Sequence, residues 1–317
     1  MRAYKLKKLK RVHAVHFTPD GARLLAVGGA EARLVDAAGW LDLATGENGG
    51  RIEKYATCAA VDPALTRYAV GGEDAGARRI ALEWTALDGP VEWHRFTGPK
   101  VIPSPRHNVS GLAFDPTGAR LAVGYSRRGG ARGRPSRPVQ KLSVVDRNTG
   151  EARAELPTEF EACVMSFSAD GARLAATGGI DGDTRVAVFD VGTRERLFTF
   201  EPPATVTRVA RFLPDNRVVV ANGRDVYVLP AAGDPPQFTL AGHPKQVNAV
   251  AVAPGGRRLL TASHDGSIRT WDASTGEAGP AFDWNIGAVT ALAFSPDGLT
   301  CAAAGLNGKV VVWDVDA

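Results

Sequence analysis

The side chains that could run chemistry in this 317-residue chain are few and scattered. The histidines are His13, His16, His94, His107, His243 and His264, and only His13 and His16 stand close enough in sequence to suggest a shared metal. On a strand these two face opposite sides, so no metal residue is expected. Asp181-Gly182-Asp183 opens like a calcium loop, but the further ligands and the closing Glu are missing, and it reads as a solvated hairpin tip. No HExxH, GxSxG, GxGxxG or Walker pattern occurs, and Gly305 to Lys309 is too short to cradle a phosphate. Cys58, Cys163 and Cys301 form no CxxC pair and read as reduced core residues, which suits a cytoplasmic protein. His243 and Asp265 have the types of a catalytic base and its orienting acid, and that role would require them to face a reacting group.

The elements around that pair decide how it reads. From Gly242-His243 the chain runs through two alternating apolar stretches, Val247 to Val252 and Leu259 to Ser263, separated by Pro254-Gly255-Gly256. Asp265-Gly266 then turns into Ile268 to Asp272. Short alternating runs joined by Pro, Gly and Asp turns predict antiparallel strands in tight hairpins. The pattern recurs. An apolar anchor precedes a turn at Phe17, Val61, Phe114, Phe167, Phe212, Val252 and Phe294, with spacings of 40 to 53 residues. Ten or eleven residues beyond each anchor stands Gly28, Gly71, Gly124, Gly178, Asn222, Ser263 or Gly305.

The Gly242-His243 start, the Trp271-Asp272 and Trp313-Asp314 ends, and the period itself resemble the WD-repeat family. The resemblance covers nearly the whole chain and implies an all-β fold: one domain over residues 1–317, a seven-bladed propeller of four-stranded antiparallel blades. It also implies that His243, Asp265, Trp271 and a strand hydroxyl, Thr261 or Ser263, form a hydrogen-bonded network inside a blade, with the histidine bonding the acid and the indole. A structural role for these residues, and no catalytic residue, is therefore expected. Only repeat six has the Gly-His pair; Trp284-Asn285 takes its place in repeat seven, and Val145-Asp146 and Phe189-Asp190 are looser versions of Trp-Asp. In repeat one the strand carrying this position is expected to end at Arg33 to Asp36. Arg2 to Leu9 precedes the first anchor, while the chain stops after the third strand of the last repeat, so this segment is expected to supply the missing outer strand, against Val310 to Trp313, and close the ring.

A propeller of this family docks partners on its top face. Aligned on the anchors, that face takes Arg11, His13, Tyr55, Asn108, Glu161, Arg208, Gln246 and Asn248 from the starts of the inner strands. Glu73, Arg224 and His264 come from the turns between second and third strands. Repeat three also carries an insertion, Ser126 to Pro138, with Arg127, Arg128, Arg132, Arg134 and Arg137 and no acid. Such guanidinium groups fit an acidic protein surface, or less readily nucleic-acid phosphates, since no aromatic lies among them. The reading is a cytoplasmic, monomeric, non-enzymatic scaffold that binds another protein and needs no cofactor. The alternatives are a lactonase- or hydrolase-like propeller enzyme with a channel site, or a nucleic-acid-associated propeller. A net charge of +4 does not by itself select nucleic acid, no apolar run is long enough to span a membrane, no leader with an apolar core opens the chain, and the Gly, Ala and Arg content suits a bacterial source.

Overall fold

The computed structural model describes residues 1–5, 11–29, 37–42, 48–49, 58–63, 67–73, 80–86, 94–95, 107–127, 139–178, 184–204, 206–233 and 235–315. The chain divides into two compact units: Met1–Lys54, Leu213–Ala231 and Pro235–Ala317 make the first, and Tyr55–Phe212 with Ala232–Asp234 the second.

Each unit holds three four-stranded antiparallel sheets whose strands follow one another in sequence order, apart from one outer strand. In unit one, Arg11–Phe17, Arg23–Gly29, Ala37–Asp42 and Asn48–Gly49 form the first sheet. Val247–Val252, Arg258–Ser263, Ser267–Asp272 and Ala278–Asp283 form the second. The third holds Val289–Phe294, Thr300–Gly305 and Lys309–Asp314, with Arg2–Lys5 outside them. Val218–Asn222, Asp225–Leu229 and Phe238–Leu240 also pair in order within this unit. Unit two holds the sheets Cys58–Val61 to His94–Arg95, His107–Phe114 to Ala152–Leu156, and Val164–Phe167 to Arg196–Phe200. Its strand Thr207–Phe212 lies by Val164–Phe167, with the Phe212 N–H donating to Ser166 Oγ at 3.3 Å.

The N-terminal strand pairs as expected, Arg2 opposite Val312 and Lys5 opposite Lys309; the rest of the expected segment, residues 6–9, lies outside the described residues. One expectation is corrected. The third strand of repeat one is Ala37–Asp42, in register with Arg23–Gly28, so Trp40-Leu41-Asp42 and not Arg33 to Asp36 fills the Trp-Asp position. The overlooked signal is Asp42 followed by Thr45-Gly46-Glu47, the same string as Asp146 with Thr149-Gly150-Glu151 and Asp272 with Thr275-Gly276-Glu277.

The hairpins after Phe17, Phe114, Phe167, Phe212, Val252 and Phe294 close on a left-handed residue. Gly21, Gly118, Gly171, Gly256 and Gly298 have φ of 68° to 74°, and Asn216 has 67°. Glycine and asparagine reach this region at least cost, and each returns its N–H to the carbonyl three residues back, as Gly118 does to Asp115. The core is the apolar surface between successive sheets. Leu142, Phe160, Leu174 and Phe189 fill one such layer in unit two. Leu260, Ile268, Ile286, Leu292 and Trp313 fill another in unit one. Val12, Val15 and Leu24 of the first repeat pack on Ala302, Val310 and Val312 of the last, with Tyr4 beside them. Such burial contributes about 25 cal/mol per Å² of apolar area and holds the sheets together whether or not a repeat has a polar network.

Candidate functional site

The pair that looked catalytic is inward-facing and fully engaged. His243 is 4% exposed. Its Nδ1 lies 2.9 Å from Asp265 Oδ2 and its Nε2 lies 2.8 Å from Thr261 Oγ1. The Trp271 indole N–H donates to the same Thr261 oxygen at 2.9 Å. An ionised carboxylate only accepts, so in the neutral ring Asp265 takes the proton on Nδ1, and Nε2 accepts from the Thr261 hydroxyl, which itself accepts from the Trp271 indole. The histidine thus touches the indole only through a hydroxyl, a correction to the direct contact expected. Ser267 completes the cage, its hydroxyl donating to Asp265 Oδ1 at 2.6 Å and its N–H to the same oxygen at 2.7 Å. Of the two candidate hydroxyls, Thr261 is the bridge; Ser263 donates to the Lys245 carbonyl at 3.1 Å and receives the Asp265 N–H at 3.1 Å, which fixes the loop.

Burial pushes the His243 pKa below its ordinary value, with the Arg269 charge adding to it against the opposing pull of Asp265. The ring is therefore neutral near pH 7, and its contact with Asp265 is a hydrogen bond, not an ion pair. Burial opposes ionisation of Asp265, yet the Ser267 and His243 bonds hold its carboxyl below the usual range. A satisfied chain from indole to hydroxyl to imidazole to carboxylate is rigid, and it leaves neither nitrogen of His243 free for a reacting group.

Repeat seven answers the same position differently. Trp284 stacks on Phe282 with ring centroids 5.4 Å apart and tilts against Trp313 at 5.9 Å. Apolar contact takes the place of the polar chain, and the Trp284 indole N–H is buried without a partner.

Two sets of residues that sequence reading missed connect or cap the sheets. The first sits on a β-bulge four residues before the anchor. At Ser110, Asn248 and Thr290 the ladder skips a residue, which turns the side chain toward the next sheet. Ser110 donates to the Ala162 carbonyl at 2.7 Å, Asn248 to the Val289 carbonyl at 2.9 Å, and Thr290 to the Val12 carbonyl. The second set follows the anchor. Thr18, Ser168 and Ser295 each donate to the aspartate two residues on, Asp20, Asp170 or Asp297. Their hydroxyls also accept the N–H of Arg23, Arg173 or Thr300. In repeat three the pair is inverted: buried Asp115 accepts the Thr117 hydroxyl at 2.8 Å and the Arg120 N–H at 2.9 Å. Arg120 then crosses to the next sheet, bonding the Gly171 carbonyl at 2.8 Å above the Phe167 ring. The signal was a hydroxyl or Asp directly after each of these anchors.

The expected docking residues divide between the units. In unit one, Arg224 and His264 are exposed and Gln246 is half-buried. Backbone bonds from Val247 to Gly223 and from His264 to Gln246, at 2.8 and 2.9 Å, draw their turns together beside exposed Lys245. Asn248 is half-buried, its amide donor spent on the neighbouring sheet. Arg11 and His13 lie on the strand Arg11–Phe17 of the same unit. In unit two, Glu73 ends the strand Arg67–Glu73, Asn108 lies in His107–Phe114, Glu161 is half-buried and Arg208 is exposed. Arg127 pairs with Val139 at the base of the insertion, and Tyr55, Arg128, Arg132, Arg134 and Arg137 lie outside the described residues. Among the described residues no three His, Cys, Asp or Glu side chains gather as metal ligands, and no helix is long and apolar enough to cross a membrane.

Known proteins place the repeats. The family model described as WD domain, G-beta repeat matches residues 234–272 and 284–314. The chain is 38% identical over 87 residues to WD repeat-containing protein 1 of Gallus gallus, covering 26% of this chain and 14% of that protein. It is 28% identical to actin-interacting protein 1 of Drosophila melanogaster, over 54% of this chain and 29% of the relative. A guanine nucleotide-binding protein subunit beta of Nicotiana tabacum matches at 27% over 272 residues, 74% of this chain and 68% of its own length. The chain thus spans less than a third of the first two relatives.

Proposed function

We propose that the chain, two of whose repeats match the WD domain, G-beta repeat model, works as a non-catalytic scaffold that docks another protein on the top face of its repeats. The observation that carries this reading is the closed network of repeat six. The one constellation with the residue types of a triad is spent on holding a loop, with His243 bonded at both nitrogens. What that loop presents outward is Lys245, Gln246 and His264, with Arg224 beside them. Adaptable polar and cationic groups on a rigid base are the composition of a recognition surface, where arginine is a favoured anchor. The matched relatives include one named for interacting with actin and one named as a subunit of an assembly, which supports a binding role. A cytoplasmic monomer, with seven sheets in a ring closed by the N-terminal strand, belongs to the same proposal. It is supported by the repeat spacing and by the packing of the first repeat on the last inside unit one.

The test is affinity capture from the native cell with the parent chain and with Arg224→Glu/His264→Glu. A protein retained by the parent and lost by the variant, at equal thermal stability, is the expected result; identical captured sets would remove the top face from the proposal. The arginine insertion is tested on the captured partner. Replacing Arg127, Arg128, Arg132, Arg134 and Arg137 with Ser is expected to weaken binding and flatten its salt dependence, because fewer charge contacts remain to be screened, while leaving the melting temperature nearly unchanged. A preference of the parent for nucleic acid over the protein, lost in this variant, would replace the scaffold with the nucleic-acid reading.

A further inference from the structure

A cleft of about 920 Å³ opens in unit one between the sheet Val247–Asp283 and the sheet that follows it. Its walls come from two turns and a strand: the hairpin from Ala253 to Arg258, the turn at Asp297-Gly298, and the outer strand from Ala278 to Phe282. Trp271, Phe282, Pro254 and Val315 supply its apolar surface. Leu299, 63% exposed, follows directly on the lining residue Gly298. A leucine exposed to that degree beside an apolar cleft extends the patch.

Two further features decide what would fill it. The outer strand reads Ala278-Gly279-Pro280-Ala281, all four exposed, so no long side chain shields its free backbone edge. Proteins usually protect such an edge with charges or bulk; here Pro280 interrupts it, and the bulk and charge of Phe282 and Asp283 stand at its far end. The charges on the walls are also unequal in their engagement. Arg257 is tied to Asp272 at 2.9 Å, and Arg258 has interactions of its own. Glu277 and Asp297 have no ion-pair partner among the described residues, and Asp297, whose Oδ1 accepts the Ser295 hydroxyl and the Leu299 N–H, keeps Oδ2 for a cation.

We propose that this cleft is a second docking surface, which takes an extended segment of a partner protein carrying one bulky apolar residue next to lysine or arginine. The apolar side chain enters between Trp271, Phe282 and Val315. The segment's backbone runs along the open edge of the outer strand, and its cation meets Glu277 and Asp297. The size fits this occupant, since about 920 Å³ is at the upper end of the ~300–1,000 Å³ of small-molecule pockets, and edge pairing with a side-chain pocket is an established way to hold an extended chain. The cleft is a different surface from the Arg224 and His264 turns, so the two docking modes are separable.

The experiment selects random heptapeptides displayed on phage against the full chain, and measures the enriched peptide by fluorescence anisotropy. Enrichment of an aromatic or aliphatic residue beside a basic one is expected. Its Kd should rise about tenfold or more in Glu277→Lys and in Ala278→Arg, both at exposed positions outside the core, and stay unchanged in Arg224→Glu/His264→Glu. No consensus, an acidic consensus, or an affinity that survives either cleft variant would overturn the proposal. Loss of binding only in the Arg224→Glu/His264→Glu chain would overturn it too, while supporting the top face.

Discussion

At His243 a single proton decides whether the repeat-six network holds. The neutral ring accepts from Thr261 and donates to Asp265; a protonated ring donates from both nitrogens, which reverses the Thr261 bond and forces that hydroxyl to turn its own proton away from the ring. Folding favours the neutral form, since burial holds the folded pKa below the ordinary 6.5. The sign follows: stability from this group is complete above about pH 6.5 and is lost as pH falls from there through the lower folded value. The aspartates titrate in a more acidic window, because their folded values lie below 3.8. The gap in urea midpoint between the parent and His243→Asn is therefore expected to shrink between pH 7.5 and 5; a gap independent of pH would mean that the ring is not held neutral. Two truncations measure the rest of the chain of bonds. His243→Ala leaves the buried Thr261 hydroxyl proton and an Asp265 oxygen without their partner and is expected to cost about 1–3 kcal/mol. Trp271→Ala opens a cavity and is expected to cost about 3–5 kcal/mol, read from equilibrium denaturation.

The hairpin turn is the element that repeats most faithfully, and it tolerates an exchange of partners. Repeats one, four and seven place the hydroxyl first and the aspartate third, whereas repeat three places Asp115 first and Thr117 third. Both orders satisfy the N–H that opens the next strand. Asp115→Ser is accordingly expected to destabilise the protein, and adding Thr117→Asp to recover more than half of the loss in denaturant midpoint. A double variant no better than the single one would mean that the Arg120 contact, not the turn, sets the energy. The close approach at Gly305 gives a second measurement. A Cβ there would collide with the Ile286 carbonyl, so Gly305→Ala is expected to cost about 1–3 kcal/mol through overpacking. Strands and turns were legible because alternation and the Pro-Asp-Gly strings are local. The strands Val247–Val252 and Arg258–Ser263 fall on the alternating stretches Val247 to Val252 and Leu259 to Ser263. The bulges at Ser110, Asn248 and Thr290 were not legible, because a skipped ladder position is set by the neighbouring strand and leaves no mark on its own residue type. For the same reason Asn248 looked like a docking residue when its amide is spent on the next sheet.

At the scale of the molecule, sequence-distant segments are held by short backbone ladders. Arg2–Lys5 covers the outer edge of Lys309–Val312, and Tyr4 packs on the layer shared by the first and last repeats. Removing residues 1–10 is expected to expose that edge and lower the melting temperature, with aggregation on heating; Tyr4→Asp, which keeps the backbone strand, should lower it less. A truncated chain that melts like the parent would show the pairing to be dispensable. The same pairing sets a timetable during synthesis. Arg2–Lys5 leaves the ribosome well before its partner strand, which is translated about 300 residues later, a wait of tens of seconds at roughly 5–20 residues per second. Throughout that interval Arg2–Lys5 has no sheet to join, so the nascent chain carries an unpaired β-segment that the cell must keep from other ribosomes' products until Lys309–Asp314 has been made.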